Sequence, residues 1–211
     1  MTNGRAPKQV VVALGGGGMR GVAHLGVLQV LAERGIEVVG MAGTSSGALL
    51  GALWLTLGPA SVDRVRAFVS SGRARRMPDF HELGQGHLWQ RAKLAIQVVH
   101  ILLRKALLSE AQMLDYVRFF LPETPIEALP VPFVAVATDT LTGEEVWLSR
   151  GSLVRAVAAS SAMPGLVNPI AVEGRFLQDG GAVAEIPVRA ARSLGSPVLA
   201  VEVSEGLPVG Y

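Results

Sequence analysis

The sequence predicts an α/β fold built on a mostly parallel sheet that helices cover on both faces. The first observation is that short apolar segments, such as Gln9–Leu14 and Glu37–Ala42, lack the polar alternation of a strand with one solvated face. The second is that each segment runs through a glycine-containing turn into a stretch with helical spacing of apolar residues. Repeated strand–turn–helix units of this kind favour a parallel sheet.

Local signals place the elements in order along the chain. Gly35 and Gly58 end the first two helices, Ser61 is expected to cap the third, and Pro187 fits the first turn of the last. The third and fourth strands are expected to form a hairpin. The predicted helices are Met19–Arg34, Ala48–Leu57, Ser61–Ser70, Leu88–Leu108, Ser109–Pro122, Ser152–Met163 and Pro187–Leu194. The predicted strands are Gln9–Leu14, Glu37–Ala42, Val131–Thr138, Glu144–Leu148, Phe176–Gln178 and Pro197–Val203.

Composition limits the class of protein. A chain of 211 residues suits one domain, and no linker divides residues 1–211. Half of the residues are apolar, and Lys plus Arg exceeds Asp plus Glu by only two, so we expect no nucleic-acid partner. The chain has no cysteine, which excludes disulfides, thiolate nucleophiles and cysteine-ligated zinc.

The length of the apolar segments indicates whether any of them could cross a membrane. None is an uninterrupted span of about 20 apolar residues, which a transmembrane helix needs. The nearest, Leu88–Leu108, has two interpretations: a widely apolar helix is usually buried in the core, but a lid or lipid-contact helix also fits. Its narrow polar stripe consists of Lys93, Gln97, His100 and Arg104. We expect a cytoplasmic protein that can contact a membrane peripherally.

A five-residue turn carries the first chemical signal. Gly43 to Gly47 fit G-x-S-x-G between a predicted strand and a predicted helix, with Ser45 at the centre. A serine on such a sharp turn projects its hydroxyl above the sheet, and the helix that follows directs its positive dipole end at the site. A simple Ser/Thr/Gly turn that caps a helix is the alternative. The position of the pattern between a strand and a helix favours Ser45 as a nucleophile.

Four successive glycines, Gly15–Gly18, form the second constellation. Their bare N–H groups at a helix N terminus make an anion site, either for a phosphate or for the oxyanion of acyl transfer. Gly16, Gly18 and Gly21 also fit the dinucleotide fingerprint G-x-G-x-x-G. A dinucleotide-binding unit requires an acidic residue at the end of the next strand, and this chain has Gly43-Thr44-Ser45 there instead.

A serine nucleophile needs a base. No histidine follows His100, so a Ser–Asp–His triad in the order of the α/β-hydrolases is excluded, and His24 is expected to be a packed or capping residue. Asp179 ends a predicted strand before Gly180 and Gly181, and a carboxylate within hydrogen-bond reach can accept the serine proton. An ordinary Asp-Gly turn is the competing interpretation, and His81, His87 or His100 in another order stay open.

Together these motifs resemble the three signatures of the patatin-like phospholipases. They are Gly16-Gly17-Gly18-Met19-Arg20-Gly21, Gly43-Thr44-Ser45-Ser46-Gly47 and Asp179-Gly180-Gly181, in the family's order. The segment Ala158–Pro164 is also similar to the helix–proline segment before the family's aspartate. The resemblance runs from about Val10 to Val203, and it implies a three-layer α/β/α fold.

The resemblance also implies a function. It implies hydrolysis of acyl esters of phospholipids or related lipids, without a metal or cofactor. Ser45 would be the nucleophile and Asp179 the base of a Ser–Asp dyad. The backbone of Gly16, Gly17 and Gly18 would form the oxyanion hole. The supporting residues would be Arg20, Gly43, Gly47, Gly180 and Gly181.

Two further points concern the resemblance. Where the family usually has asparagine two residues before the proline that follows Asp-Gly-Gly, this chain has Glu185, before Pro187. That departure bears on substrate preference. The alternative function is a lipid-binding regulatory protein with the same fold and little turnover, which the presence of both dyad residues does not favour.

Overall fold

The structure is a computed structural model, and it describes residues 8–72 and 106–203. Its strands are β1 (Lys8–Leu14), β2 (Ile36–Thr44), β3 (Phe133–Asp139), β4 (Glu145–Leu148), β5 (Ile170–Val172), β6 (Arg175–Asp179) and β7 (Val198–Val201). Its α-helices are α1 (Ala23–Glu33), α2 (Ser46–Leu57), α3 (Ser61–Ser70), α4 (Glu110–Phe120), α5 (Leu153–Ser160) and α6 (Val188–Leu194). Short 3₁₀ turns lie at Gly18–Val22, Gly58–Ala60, Ile126–Ala128 and Gly180–Ala182.

The strands form one sheet in the order β5-β6-β3-β2-β1-β7, with β4 paired to β3. The pairs β7–β1, β1–β2 and β2–β3 are parallel, as expected for strand–turn–helix units. The strands β4 and β6 each pair antiparallel with β3, and β5 pairs antiparallel with β6. The central sheet is therefore mixed, and its parallel half carries the serine turn.

Helices cover both faces of the sheet, so the three-layer α/β/α fold is confirmed. Alternate side chains of β1 show why the strand is apolar from Val10 onward. Val12 and Leu14 pack into the larger core beneath α1, α2, α4 and α5, whereas Val11 and Ala13 face a smaller core beneath α6. All four are completely buried. Each fully buried Val or Leu contributes about 1.5–3 kcal/mol to stability, which explains the absence of polar alternation.

Ser109 and Ser61 lie at the starts of two helices, and only Ser109 is a cap. Ser109, predicted only as the first residue of its helix, caps α4, because its hydroxyl accepts from the N–H of Gln112 while the Gln112 side chain accepts from the N–H of Ser109. The prediction for Ser61 is wrong. Ala60 is the N-cap of α3, and the Ser61 hydroxyl instead donates back to the carbonyl of Gly58.

Several element boundaries also differ from the predictions. The first helix opens with the 3₁₀ turn Gly18–Val22, and α5 ends at Ser160 rather than Met163. The predicted helix Leu88–Leu108 lies outside the described residues up to 105. Its last residues are not helical, since Leu108 forms a β-bridge with Val167. The sequence also gave no sign of the three-residue strand β5.

Candidate active site

The serine turn joins β2 to α2 and holds Ser45 in an unusual backbone conformation. Ser45 has φ 54° and ψ −121°, a combination that costs a non-glycine residue about 1–3 kcal/mol. Gly47 has no space for a side chain, because an added carbon would collide with the carbonyl oxygen of Leu14. The start of α2 therefore packs directly against the end of β1, and this contact fixes the turn that presents Ser45.

Pairing with β3 brings Asp179 to the serine turn. Thr44, at the end of β2, pairs with Val136, and Asp179, at the end of β6, pairs with Ala137. Since Val136 and Ala137 are successive residues of β3, the end of β2 and the end of β6 lie next to each other. The Ser45 hydroxyl and the Asp179 carboxylate therefore line the same pocket, and a hydrogen bond from Ser45 lowers the pKa of Asp179. Their roles as nucleophile and base stay predictions.

Asp179 is buried, with 7% of its surface exposed. Its Oδ1 accepts a 2.8 Å hydrogen bond from the N–H of Gly181, which orients the carboxylate at the Asp-Gly-Gly turn. Burial raises the pKa of Asp179 above its usual range, while hydrogen bonds from Ser45 and Gly181 lower it and the negative charge of Glu185 raises it further. A raised pKa makes this carboxylate a stronger proton acceptor than an exposed aspartate.

The end of α5 holds the backbone of Ser45 on both sides. The Ser160 hydroxyl accepts from the N–H of Ser45 at 3.0 Å and donates to the carbonyl of Val136 at 2.6 Å. The Ser161 hydroxyl donates to the carbonyl of Ser45 at 3.2 Å. The next residue, Ala162, accepts from the N–H of Asp179 at 2.9 Å. Three consecutive residues thus bind the backbones of both Ser45 and Asp179.

The first two glycines of the loop are engaged in the fold. The N–H of Gly15 donates to Val201, the N–H of Gly16 donates to the carbonyl of Glu185, and both distances are 2.9 Å. Nε2 of the fully buried His24 lies 2.8 Å from the carbonyl of Gly15. Burial lowers the pKa of His24, and the hydrogen bond to Gly15 opposes that shift. His24 is therefore a packed residue that supports the loop.

The prediction that Gly16 supplies an oxyanion donor needs correction, because its N–H is already bonded to Glu185. The N–H groups of Gly17 and Gly18 donate to no residue within 8–72 or 106–203. Gly18 has φ 56° and open space around it. The role of oxyanion donor therefore passes to Gly17 and Gly18, and it stays a prediction.

These elements enclose a pocket of about 300 Å³. The residues that line it are Gly16, Gly17, Gly18, Ser45, Met163, Pro164, Asp179, Gly181, Ala182 and Glu185. Arg20 lies on the exposed 3₁₀ turn beyond the loop and outside this lining, and its role as a supporting residue stays a prediction. His81, His87 and His100 lie outside the described residues.

The described residues hold neither a cluster of metal ligands nor a long apolar helix. Across 8–72 and 106–203, no group of three His, Cys, Asp or Glu side chains converges as a metal site would require. Over the same ranges, no helix has the length and apolar character needed to cross a membrane.

The fold and the three motifs define the class of protein. The sequence model of the patatin-like phospholipases matches residues 12–192, and the chain belongs to this family. It is 39% identical over 185 residues to an uncharacterized NTE family protein of Mycobacterium tuberculosis, covering 88% of this chain and 46% of the relative. The chain thus spans about half the length of that relative.

Two named relatives match over most of this chain. The lysophospholipase NTE1 of Mycosarcoma maydis is 35% identical over 194 residues, which cover 91% of this chain and 9% of that protein. The patatin-like phospholipase domain-containing protein 7 of Mus musculus is 30% identical over 197 residues, which cover 92% of this chain and 13% of that protein.

Sequence reasoning missed the contacts of Ser160, Ser161 and Glu185. The segment Ala158–Pro164 carried a usable signal, since two adjacent serines at the end of an apolar helix have hydroxyls free to bond elsewhere. Nothing local linked Glu185 to the glycine loop, because the partner of its carbonyl, Gly16, is 169 residues away.

Proposed function

We propose that this chain is a serine hydrolase of lipid acyl esters, with Ser45 as nucleophile and Asp179 as base. One observation carries the proposal. The Ser45 hydroxyl, at a strained strand-to-helix turn, donates to a buried carboxylate beside a pocket that the glycine loop lines. Family membership and the named lysophospholipase relative support a lipid substrate.

The first half-reaction forms an acyl-enzyme. The Ser45 oxygen attacks the ester carbonyl while its proton passes to the Asp179 carboxylate. The carbonyl oxygen becomes an oxyanion, which the N–H groups of Gly17 and Gly18 and the positive end of the α2 dipole stabilise. The intermediate collapses, the bond to the alcohol breaks, and Asp179 returns its proton to the departing alkoxide.

The second half-reaction releases the acid. Water attacks the acyl-enzyme and gives one proton to Asp179, and the same donors hold the second oxyanion. Collapse breaks the bond to Ser45, whose oxygen regains the proton. Asp179 therefore acts as base and then acid in each half, which a carboxylate with a raised pKa can do.

We infer that the acyl chain lies against the apolar part of the lining. Met163 and Pro164 line the pocket together with the glycine loop. We propose phospholipids, lysophospholipids or other acyl esters as substrates, with the ester between Ser45 and the loop. Hydrolysis of simple soluble esters follows from the same geometry.

We also propose peripheral contact with a lipid surface near the pocket. Met19 and Val22, on the 3₁₀ turn after the glycine loop, are 68% and 41% exposed, and Met163 in the pocket lining is 38% exposed. Exposed apolar side chains beside a pocket suit an interface with lipid. Met19→Ser should weaken sedimentation with liposomes severalfold and spare hydrolysis of soluble esters. Equal loss of both would argue against contact.

A fluorophosphonate probe tests the enzymatic function, since it labels an activated serine and ignores an idle one. We expect stoichiometric labelling of the wild type and none of Ser45→Ala. Ser70→Ala, at the exposed end of α3, is the matched control and should label normally. A folded wild-type protein that resists the probe but binds lipid would favour the regulatory alternative.

A further inference from the structure

Glu185 places a second carboxylate in the pocket. It follows the 3₁₀ turn Gly180–Ala182, and it lines the pocket together with Ser45 and Asp179. Its backbone carbonyl accepts from the N–H of Gly16, so this residue is tied to the glycine loop. The mechanism above gives the Glu185 side chain no role.

The carboxylate of Glu185 lies close to both the loop and the base. A carbon added to Gly16 would lie 2.9 Å from Glu185 Oε1. A carbon added to Gly181 would lie 2.9 Å from Glu185 Oε2 and 3.2 Å from Asp179 Oδ1. The two carboxylate oxygens are therefore no more than about 6 Å apart, a range in which like charges act on each other.

The charged residues in the described lining of the pocket are both acidic. They are Asp179 and Glu185, and none of the described lining residues is Lys, Arg or His. An anionic group on an acyl chain that binds against this described lining would therefore meet two carboxylates. Glu185 is exposed at the pocket mouth, so solvent reduces the repulsion without removing it.

We propose that Glu185 is a specificity-determining residue that selects esters whose acyl group carries no negative charge. This proposal rests on the proposed function, because it assumes that the ester binds between Ser45 and the glycine loop. The same charge acts on the product. Hydrolysis turns an uncharged ester into a carboxylate beside Glu185, and repulsion then favours release of the acid.

The test compares two soluble 4-nitrophenyl esters of equal chain length, one with a terminal methyl group and one with a terminal carboxylate. The quantity measured is the ratio of kcat/KM for the anionic ester to kcat/KM for the neutral ester. We expect Glu185→Gln to raise this ratio about tenfold at low salt, the scale of one partly screened charge pair. Glu173→Gln, at the exposed β5–β6 turn, removes the same charge outside the pocket and should leave the ratio unchanged.

A ratio that stays at the wild-type value in Glu185→Gln, or that rises equally in both variants, would overturn the proposal. A second measurement uses the unmodified protein, so it holds even if Glu185→Gln fails to fold. In the wild type, raising the salt concentration from about 0.01 M to 1 M should increase the ratio severalfold, because it shortens the Debye length from about 30 Å to 3 Å. A salt-independent ratio would contradict the role of Glu185. Fluorophosphonate labelling of Ser45, run in parallel, separates this failure from failure of the proposed function.

Discussion

The serine turn and the glycine loop line the same pocket, and they are held in different ways. At the serine turn, the N–H and carbonyl of Ser45 bind the hydroxyls of Ser160 and Ser161, and its own hydroxyl binds Asp179. In the glycine loop, the fold engages Gly15 and Gly16 but no described residue accepts from the N–H groups of Gly17 and Gly18. The proposed nucleophile is thus fixed by its neighbours, whereas the N–H groups of Gly17 and Gly18 are available to donate to a substrate oxygen.

The largest effect should come from breaking the packing of the serine turn. Gly47→Ala places a carbon against the carbonyl of Leu14, which belongs to a central strand and cannot move. We expect loss of activity and a fall in stability of about 3 kcal/mol or more, typical of an overpacked core. Thermal unfolding followed by circular dichroism measures the stability.

Gly26→Ala is the matched control for that substitution. Gly26 lies in the exposed face of α1 with no atom within 4 Å of an added carbon. Alanine there should stabilise the protein by about 0.5–1 kcal/mol, because glycine is a poor helix former. If Gly47→Ala were as well tolerated as Gly26→Ala, the close approach of α2 to β1 would be wrong.

The next effect concerns the glycine loop. A carbon added to Gly17 would lie 2.6 Å from a methyl group of Val203, and a valine there would also obstruct the approach of a carbonyl oxygen. We expect Gly17→Val to lower kcat at least ~100-fold with p-nitrophenyl esters, the usual scale for losing one oxyanion donor. An unchanged kcat would place the oxyanion donors elsewhere.

A smaller effect should come from loss of the hydrogen bonds that Ser160 and Ser161 form with the backbone of Ser45. Ser160→Ala removes the acceptor for the N–H of Ser45 and the donor to Val136, so the strained turn can relax. We expect kcat to fall about tenfold with KM nearly unchanged, and stability to fall by about 1–3 kcal/mol. Ser161→Ala, which loses one longer bond to Ser45, should have a smaller effect on kcat. A larger fall in kcat for Ser161→Ala than for Ser160→Ala, or a change confined to KM, would contradict this role of the two hydroxyls.

The elements that the sequence predicted well are those whose structure depends on residues close together in the chain. The strand β1 and the turn at Ser45 follow from apolar runs and glycines that stand next to each other. The strand β5 was missed because three residues carry too little pattern to be distinguished from a loop.

Contacts between distant segments had no local cause, so the sequence did not reveal them. The engagement of the Gly16 N–H depends on Glu185, and the approach of Asp179 to Ser45 depends on the pairing of both strands with β3. The dyad was proposed because its motifs resemble those of a family. The hydrogen bonds of Ser160 and Ser161 with the Ser45 backbone join segments far apart in the sequence, so only the folded structure reveals them.

The smallest expected effect is on stability and comes from the base. The pKa of Asp179 in the folded protein lies above its ordinary value of 3.8, mainly through burial. Its contribution to stability is therefore full below about pH 3.8 and is lost as the pH rises through the folded-state pKa. Asp179→Asn, which never ionises, should gain in melting temperature relative to the wild type between pH 4 and 7. If the melting temperature of Asp179→Asn instead fell further below that of the wild type as the pH rose, the pKa of Asp179 in the folded protein would be lowered and not raised.

The most direct test of the Ser–Asp dyad is kcat/KM of Asp179→Asn with a neutral soluble ester. Asparagine keeps the shape and the acceptor for Gly181 but cannot take a proton from Ser45. Because the two residues act as a unit, we expect Asp179→Asn to lose nearly as much activity as Ser45→Ala, with its fold intact. Single replacements of His24, His81, His87 and His100 should leave the chemical step in place. An active Asp179→Asn together with one inactive but folded histidine variant would contradict the dyad.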